Sequence, residues 1–212
     1  MTVTLHGYRY SVYLRIARMV LLEKGQSWRH VEIDPFADTL PADYLALNPF
    51  GRVPTLQHGN FVLYETTAIT RYVDEIFTGR PLQPEDARQR ARMNQIVAIA
   101  DSYGYWPMVR QVFSQRVFNA AHRPADEAVI TEGIGKSHRV LAAVEALAHD
   151  DGPFLTGAIL SLADLHFGAM VAYFTAAQDG RAAQAGYPKL SRWWANLAGR
   201  RSVIDTDPGL PD

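Results

Sequence analysis

The chain has 212 residues, of which 48% are apolar and 20% are charged, an ordinary composition for a globular protein with one large or two small cores. The formal net charge is -1 and acidic and basic residues are interspersed, so no basic surface for DNA or RNA is expected. Because the chain has no cysteine, it forms no disulfide or zinc–thiolate site, and it has no thiolate nucleophile of its own.

Two stretches bear on where the protein works. Met1–His6 lacks the charged region and apolar run of a secretory signal, and Phe167–Ala177 is too short to cross a bilayer. We therefore expect a cytoplasmic protein without a membrane partner. The seven histidines are scattered and show no ligand spacing, so we expect no metal.

Residues 1–78 alternate between strand and helix patterns. The predicted strands are Val3–Leu5, Trp28–Ile33, Val53–Gln57 and Phe61–Tyr64, and the predicted helices are Val12–Lys24, Ala42–Leu47 and Thr66–Phe77. The last two strands are separated by a short turn and predict a hairpin. This order predicts an α/β domain over residues 1–78.

The rest of the chain has a helical pattern. Glycine and two prolines predict a linker over residues 79–86, and residues 87–212 predict an all-helical domain. Gly104 and Pro107 predict a kink or break in its first long helix. Leu162–Ala177 is apolar on nearly all sides and predicts a buried central helix, whereas the tail from Asp205 is expected to be loosely ordered.

Two neighbouring motifs in the first domain are suited to a small peptide ligand. Asn48–Leu56 is a loop rich in proline and glycine that enters a strand through Val53-Pro54, and Glu65-Thr66 stands where the hairpin meets the next helix. Together they present backbone groups, a carboxylate, a hydroxyl and a helix start. The alternatives are an edge strand that begins with proline and an ordinary helix N-cap.

A third motif has a structural explanation. Ser161 and Asp164 are three residues apart at the start of the predicted central helix, the spacing of a capping box in which an acid replaces the usual Glu or Gln. This role stabilises the helix, so Asp164 is not placed in the active site.

The segments Asn48–Pro54, Glu65-Thr66 and Leu155–Asp164, in this order, resemble motifs of the cytosolic glutathione S-transferases, and the resemblance covers essentially the whole chain. It implies a thioredoxin-like domain, an all-helical domain and a homodimer. It also implies a detoxification enzyme that conjugates the thiolate of its co-substrate glutathione to small apolar electrophiles.

The resemblance assigns roles to particular residues. In the family, the bond at Val53-Pro54 is cis, and the Val53 amide and carbonyl pair with the glutathione backbone. Glu65 and Thr66 correspond to the residues that hold the γ-glutamyl end, and Arg52 resembles a basic residue near the glycyl end. As a solitary arginine, Arg52 could equally be an ordinary surface residue.

Ser11 is the candidate catalytic residue. A thiol is a poor nucleophile at neutral pH, so an enzyme without cysteine must lower the pKa of the glutathione thiol by hydrogen bonds and a helix N-terminus. Ser11 directly precedes the helix at Val12, where the serine-type classes (theta, zeta and phi) carry their catalytic serine, so the chain resembles a bacterial-style member of these classes. The alternative is a plain N-cap. Tyr10 or Tyr13 could also take the donor role, whereas a tyrosine-type mechanism is disfavoured because Leu5 occupies that position.

The electrophile site is expected to be aromatic and adaptable. At helical spacing such residues are more often core, so about half are expected to face a cleft. The candidates are Tyr10, Tyr13, Tyr103, Trp106, Met108 and Phe113.

Other functions remain open. One alternative is a non-catalytic binding or scaffold protein of this fold, and another is glutathione-dependent isomerisation, dehalogenation or peroxide reduction. The run Tyr10–Tyr13 departs from the zeta pattern, which disfavours maleylacetoacetate isomerisation. Glutaredoxin-like and dehydroascorbate-reductase chemistry is excluded, because a chain without cysteine cannot form a mixed disulfide with glutathione.

Overall fold

A computed structural model describes residues 2–210, which divide into two compact units. The N-terminal unit contains the residues up to Pro81 together with Asp205–Gly209, and the helical unit contains Leu82–Ile204. The N-terminal unit is a four-stranded sheet with helices, and the second unit is helical. The predicted fold class, a thioredoxin-like domain followed by a helical domain, is therefore confirmed.

The N-terminal unit has four strands and three helices. They are β1 (Val3–Gly7), α1 (Val12–Glu23), β2 (Arg29–Glu32), α2 (Ala42–Leu47), β3 (Thr55–His58), β4 (Phe61–Tyr64) and α3 (Thr66–Ile76). The strand order is β2-β1-β3-β4, with β1 parallel to β2 and antiparallel to β3. Strand β1 is buried along its whole length and α1 packs closely on it, since a Cβ at Gly7 would lie 2.7 Å from the Leu14 side chain.

The helical unit is built around one buried helix. Its elements are α4 (Ala87–Ile99), a π-helix (Ala100–Phe118), α5 (Glu127–Leu147), α6 (Leu162–Ala176), α7 (Gln178–Ala185), α8 (Pro188–Ala198) and α9 (Arg201–Ile204). Nearly every residue of α6 is buried, which confirms the predicted central helix. The predicted capping box between Ser161 and Asp164 is also present at its start.

Of the kink or break predicted at Gly104 and Pro107, the break is absent, because helical winding continues through both residues. The π-helix runs through Pro107 and ends at Phe118. The change to π-helical winding begins at Ala100, before the proline, and continues beyond it.

The expectation of a loosely ordered tail is wrong for residues 205–209. Thr206 is fully buried and its hydroxyl accepts a hydrogen bond from Nε of Arg15 at 3.4 Å. Arg18 donates to the carbonyls of Thr206 and Asp205. Arg15 is itself 4% exposed, and a buried guanidinium requires acceptors, which the tail supplies.

A buried ion pair joins the ends of two helices in the N-terminal unit. Nζ of Lys24 lies 3.0 Å from Oδ1 of Asp74 and donates to the carbonyl of Arg80 at 3.2 Å.

Among residues 2–210, no helix combines the length and the apolar character needed to cross a membrane.

Candidate active site

The sheet register brings three chain segments to one end of the N-terminal unit. Thr55, at the start of β3, pairs with His6 near the end of β1 and with Tyr64 at the end of β4. The loop after β1, the loop before β3 and the residues after β4 therefore meet at the same sheet end. These segments carry Ser11, Val53-Pro54 and Glu65-Thr66.

Two helices also begin at this end. The loop after β1 leads to α1 at Val12, and β4 leads directly to α3 at Thr66. The N-terminus of an α-helix has amides without intrahelical partners and the positive end of the helix dipole. This end of the unit is therefore suited to anionic groups.

Ser11 is half-buried and is the N-cap of α1. Its Oγ accepts the amide of Leu14 at 3.3 Å, and its own amide donates to the carbonyl of Tyr8 at 2.8 Å. The cap uses a lone pair of the hydroxyl oxygen, so the hydroxyl hydrogen can donate to another group. The capping and the catalytic interpretations of Ser11 are therefore compatible.

The loop before β3 contains the cis peptide bond between Val53 and Pro54 that the family resemblance implies, which confirms this expectation. Arg52 is exposed, Val53 is half-buried and Pro54 is buried. Strand β3 follows at once with Thr55, which is fully buried. Arg52 is thus accessible at the sheet end, and Val53 is partly accessible.

Glu65 has a backbone conformation that is unusual for a residue with a side chain. Its φ is 70°, and it is the one residue other than glycine with a positive φ in the described part of the chain. The Glu65 side chain makes no capping hydrogen bond to α3, and Thr66 is 8% exposed. Glu65 therefore stands at the N-cap position of α3 without acting as a side-chain cap.

The structure divides the candidate electrophile residues into three groups. Tyr10 and Tyr13 are half-buried beside Ser11 in the N-terminal unit. Tyr103 and Trp106 are 67% and 59% exposed on the π-helix. Met108 is fully buried and Phe113 packs edge to face on Tyr173 of α6, with ring centroids 4.7 Å apart. Met108 and Phe113 thus follow the core alternative, because their helix positions face the interior of the helical unit.

Sequence reasoning missed Phe36. Its ring is 60% exposed and lies edge to face on Tyr8, which in turn contacts Tyr10 at a centroid distance of 5.4 Å. Burial and the nearby acids Asp34 and Glu32 raise the pKa of the Tyr8 phenol, so it stays protonated at neutral pH. The three rings form an aromatic surface, and one of them, Tyr10, directly precedes Ser11 in sequence. The signal available in the sequence was an apolar aromatic directly after Pro35, in an otherwise polar loop.

A second concave region lies at the β2 edge of the sheet and has a volume of about 280 Å³. Its charged groups interact with one another or with nearby backbone: Glu32 lies 3.4 Å from His30 and accepts the amide of Arg9 at 2.9 Å. Arg18 donates to the tail carbonyls as described above. Because Glu32 and Arg18 are engaged within the protein, we assign no ligand to this region.

Comparison with known proteins identifies the family. The family model of the glutathione S-transferase N-terminal domain matches residues 5–81, and that of the C-terminal domain matches residues 127–195. Probable glutathione S-transferase GSTF2 of Oryza sativa subsp. japonica is 31% identical, covering 86% of this chain and 85% of the relative. The chain belongs to the glutathione S-transferase family.

Other members of the family agree with this assignment. Glutathione S-transferase F14 of Arabidopsis thaliana is 30% identical over 87% of this chain and 74% of its own. The crystal structure of glutathione transferase F2 from Populus trichocarpa superposes with a TM-score of 0.83 at 26% identity over 96% of each chain. A theta class glutathione S-transferase from Xanthomonas axonopodis pv. citri, solved with glutathione bound, gives 0.82 at 27% identity, covering 97% of this chain and 96% of its own.

Proposed function

We propose that this glutathione S-transferase conjugates the thiolate of glutathione to small apolar electrophiles, with Ser11 as its catalytic residue. The observation that carries the proposal is the convergence of Ser11, Val53-Pro54 and Glu65-Thr66 at one end of the sheet, where α1 and α3 both begin. This arrangement supplies donors to an anionic sulfur and to a carboxylate within one unit.

Ser11 acts on the sulfur. Its hydroxyl donates a hydrogen bond to the thiolate while its oxygen continues to cap α1, and the dipole of α1 adds to the stabilisation. Both effects favour the ionised thiol, so the thiol proton passes to solvent at neutral pH. The thiolate then attacks the electrophilic carbon: a carbon–sulfur bond forms, and the electron pair of the broken bond leaves with the displaced group.

The peptide part of glutathione is held by the other two segments. The Val53 amide and carbonyl pair with its backbone as an added strand would. The first-turn amides of α3 and the Thr66 hydroxyl bind the γ-glutamyl carboxylate, and Glu65 accepts from the ammonium group. Arg52, which is exposed beside the loop, binds the glycyl carboxylate.

The electrophile binds on aromatic surfaces. Tyr10, Tyr13 and the neighbouring rings of Tyr8 and Phe36 supply one such surface next to Ser11. Tyr103 and Trp106 supply exposed aromatic rings on the π-helix.

We include a cytoplasmic homodimer in the proposal because the family resemblance implies it, and sedimentation equilibrium measures the oligomeric state directly.

The test is an ultraviolet difference titration of bound glutathione against pH. In the wild type we expect thiolate absorbance well below the pKa of free glutathione. Ser11→Ala should raise the pKa of the bound thiol by about 1–2 units, since a hydrogen bond to a charged group is worth roughly 1.5–3 kcal/mol. Conjugation of 1-chloro-2,4-dinitrobenzene, followed by absorbance, should slow by about 10- to 100-fold in kcat/KM.

Two controls separate the thiolate role from the capping role. Ser11→Thr keeps a hydroxyl and a cap, and should retain most of the shift. Asp86→Ala removes a cap of the same geometry from α4, where Asp86 accepts the amide of Gln89 at 2.9 Å, and should lower stability without moving the thiol pKa.

The possible results lead to different conclusions. A shift that survives in Ser11→Ala transfers the donor role to Tyr10, Tyr13 or a backbone amide. If glutathione binds with an unshifted pKa, or does not bind, the catalytic proposal is wrong and the non-catalytic scaffold function replaces it. If glutathione is activated but no electrophile is conjugated, product analysis with isomerase, dehalogenase and peroxide substrates distinguishes the remaining reactions.

A further inference from the structure

A buried polar cluster lies beneath the loop that carries Val53 and Pro54. Its members are Tyr44 of α2, Asn48 at the end of α2 and Thr55 at the start of β3, and each is at most 2% exposed. Burying an amide and two hydroxyls is costly unless each is hydrogen-bonded, so the arrangement of their partners is tightly constrained.

The cluster converges on a single backbone oxygen. Nδ2 of Asn48 donates to the carbonyl of Arg52 at 2.9 Å, and the hydroxyl of Tyr44 donates to the same oxygen. A carbonyl can only accept, so the Tyr44 hydrogen is used there. In the 3.1 Å contact between the Tyr44 and Thr55 hydroxyls, Thr55 must therefore be the donor. Oγ1 of Thr55 in turn accepts from Asn48 at 3.2 Å.

The hydrogen bonds from Tyr44 and Asn48 to the Arg52 carbonyl fix the orientation of the peptide unit between Arg52 and Val53. Among the described residues, Val53-Pro54 is the one cis peptide bond, so the bond between Arg52 and Val53 is trans. In a trans peptide the carbonyl oxygen and the amide hydrogen point in opposite directions. With its oxygen held towards the buried cluster, the peptide directs the N–H of Val53 away from it, to the accessible side of the loop.

We propose that Tyr44 and Asn48 are positioning residues for the peptide ligand: by holding the Arg52 carbonyl, they orient the Val53 amide to donate to the backbone carbonyl of the bound tripeptide. This inference rests on the proposed function. Preorganisation of this kind improves affinity because binding then orders no further backbone. Neither side chain touches the reacting sulfur, so binding of the peptide should depend on them and activation of the thiol should not.

Tyr44 provides the cleaner test of the two residues. Asn48 also shapes the turn itself, since its Oδ1 accepts the amide of Phe50 at 3.1 Å. Tyr44→Phe removes one hydroxyl and keeps the buried ring, which lies 6.0 Å from the His6 ring. Tyr72→Phe is the matched control, because the Tyr72 hydroxyl also makes a side-chain hydrogen bond in this unit, to Nδ1 of His58 at 2.8 Å.

The experiment measures, by isothermal titration calorimetry, the binding of γ-glutamyl-α-aminobutyryl-glycine, a glutathione analogue without a thiol. We expect Tyr44→Phe to weaken binding about tenfold, which corresponds to the loss of one well-placed hydrogen bond, and Tyr72→Phe to leave it unchanged. With glutathione as substrate, Tyr44→Phe should raise the KM for glutathione by a similar factor. Its kcat at saturating glutathione and the pKa of the bound thiol should stay as in the wild type, a separation that general loss of structure would not give.

Each outcome gives a decision. If Tyr44→Phe binds the analogue as the wild type does, or if Tyr72→Phe is weakened equally, the positioning role is wrong while the proposed function stands. If the wild type binds neither glutathione nor the analogue, the proposed function and this inference both fall. Should Tyr44→Phe not fold, Asn48→Asp replaces it, since it keeps the acceptor for Phe50 and loses the donor to Arg52; unchanged binding by that variant would equally overturn the proposal.

Discussion

The indole N–H of Trp193 donates to Oδ1 of Asp164 over 2.8 Å in the interior of the helical unit. The same carboxylate accepts the amide of Leu155 at 2.7 Å, and both the amide and the hydroxyl of Ser161 at 2.8 Å. Burial raises the pKa of the Asp164 carboxyl, and these hydrogen bonds oppose that effect. One side chain thus connects α8, the start of α6 and the loop before it.

Replacing Trp193 by Phe should destabilise the helical unit. The substitution keeps an aromatic ring stacked near Phe167 but leaves the Asp164 oxygen with one donor fewer. We expect the free energy of unfolding to fall by about 2–3 kcal/mol, from the lost hydrogen bond to a buried acid and the smaller ring. Urea denaturation followed by far-ultraviolet circular dichroism measures the change. Trp194→Phe, at the half-buried neighbouring position, is the control, and an equal loss there would contradict the specific role of the Asp164 contact.

Lys24→Met should be strongly destabilising. It removes the cation 3.0 Å from the Asp74 carboxylate at a site where the two side chains are 2% and 4% exposed. Breaking a buried pair on one side costs roughly 3–5 kcal/mol, and the double variant Lys24→Met with Asp74→Leu should recover much of it. The control is Lys136→Met: its pair with Glu132 is shorter, at 2.6 Å, but both side chains are half exposed, so about 0.5 kcal/mol or less is expected. Similar losses for the two lysine variants in urea titrations would show that burial does not decide the effect.

Glu65→Gly should raise the stability of the fold and lower its affinity for glutathione. At φ 70° glycine is relaxed where glutamate is strained, so we expect unfolding to require about 1 kcal/mol more in the variant. Glutathione affinity should fall several-fold, because the acceptor for the ligand ammonium is lost. Thermal denaturation and calorimetric titration give the two quantities. Glu65→Gln, which keeps the strain and loses the charge, should weaken binding without the gain in stability; a gain there as well would contradict the backbone explanation.

Arg116 should contribute to stability in a way that depends on pH. It donates to Glu127 at 2.6 Å and to Asp179 at 2.8 Å, and these hydrogen bonds lower the pKa of both carboxyl groups. A carboxyl whose pKa is lower in the folded state stabilises the fold above its unfolded pKa, near 4, and this contribution is lost as pH falls through the folded value. Urea midpoints of Arg116→Met should therefore lie below those of the wild type at pH 7 and approach them as the pH falls through the lowered pKa values of the two folded-state carboxyl groups.

The control for this pH dependence is Arg92→Met. Arg92 is exposed and donates to the neutral amide of Gln95 at 2.8 Å, so its small effect should not change with pH. A deficit of Arg116→Met that persists unchanged at low pH would mean that packing of the long side chain, and not charge, is what Arg116 contributes.

Local patterns in the sequence were sufficient for much of the fold. Two short apolar runs separated by a turn predicted the hairpin of β3 and β4, and the apolar stretch before Ala177 predicted the buried helix α6. The Ser161 and Asp164 spacing predicted the capping box. In each case the physical cause lies within a short stretch of chain: a turn between two apolar runs, a helix that is apolar on nearly all sides, or a side chain that reaches an amide three positions away.

The features that sequence reasoning missed depend on distant partners. No residue near Thr206 in the sequence indicates that its hydroxyl accepts a hydrogen bond from Arg15, 191 positions away. Periodicity placed Met108 and Phe113 on a helix but could not say that their side faces α6 and not a ligand. The sequence predicted only that Tyr44 lies in the short helix Ala42–Leu47. The hydrogen bond from its hydroxyl to the carbonyl of Arg52 is visible only in the structure.

The tail that packs on α1 has a consequence for biosynthesis. On the ribosome, the residues up to Pro81 emerge long before Asp205–Gly209, yet both belong to the same compact unit. In the nascent chain, Arg15 and Arg18 therefore lack their Thr206 and Asp205 acceptors until residues 82–204 have been made. The packing of Thr206 against Arg15 of α1 is consequently a late contact, which can form only after the helical unit has been synthesised.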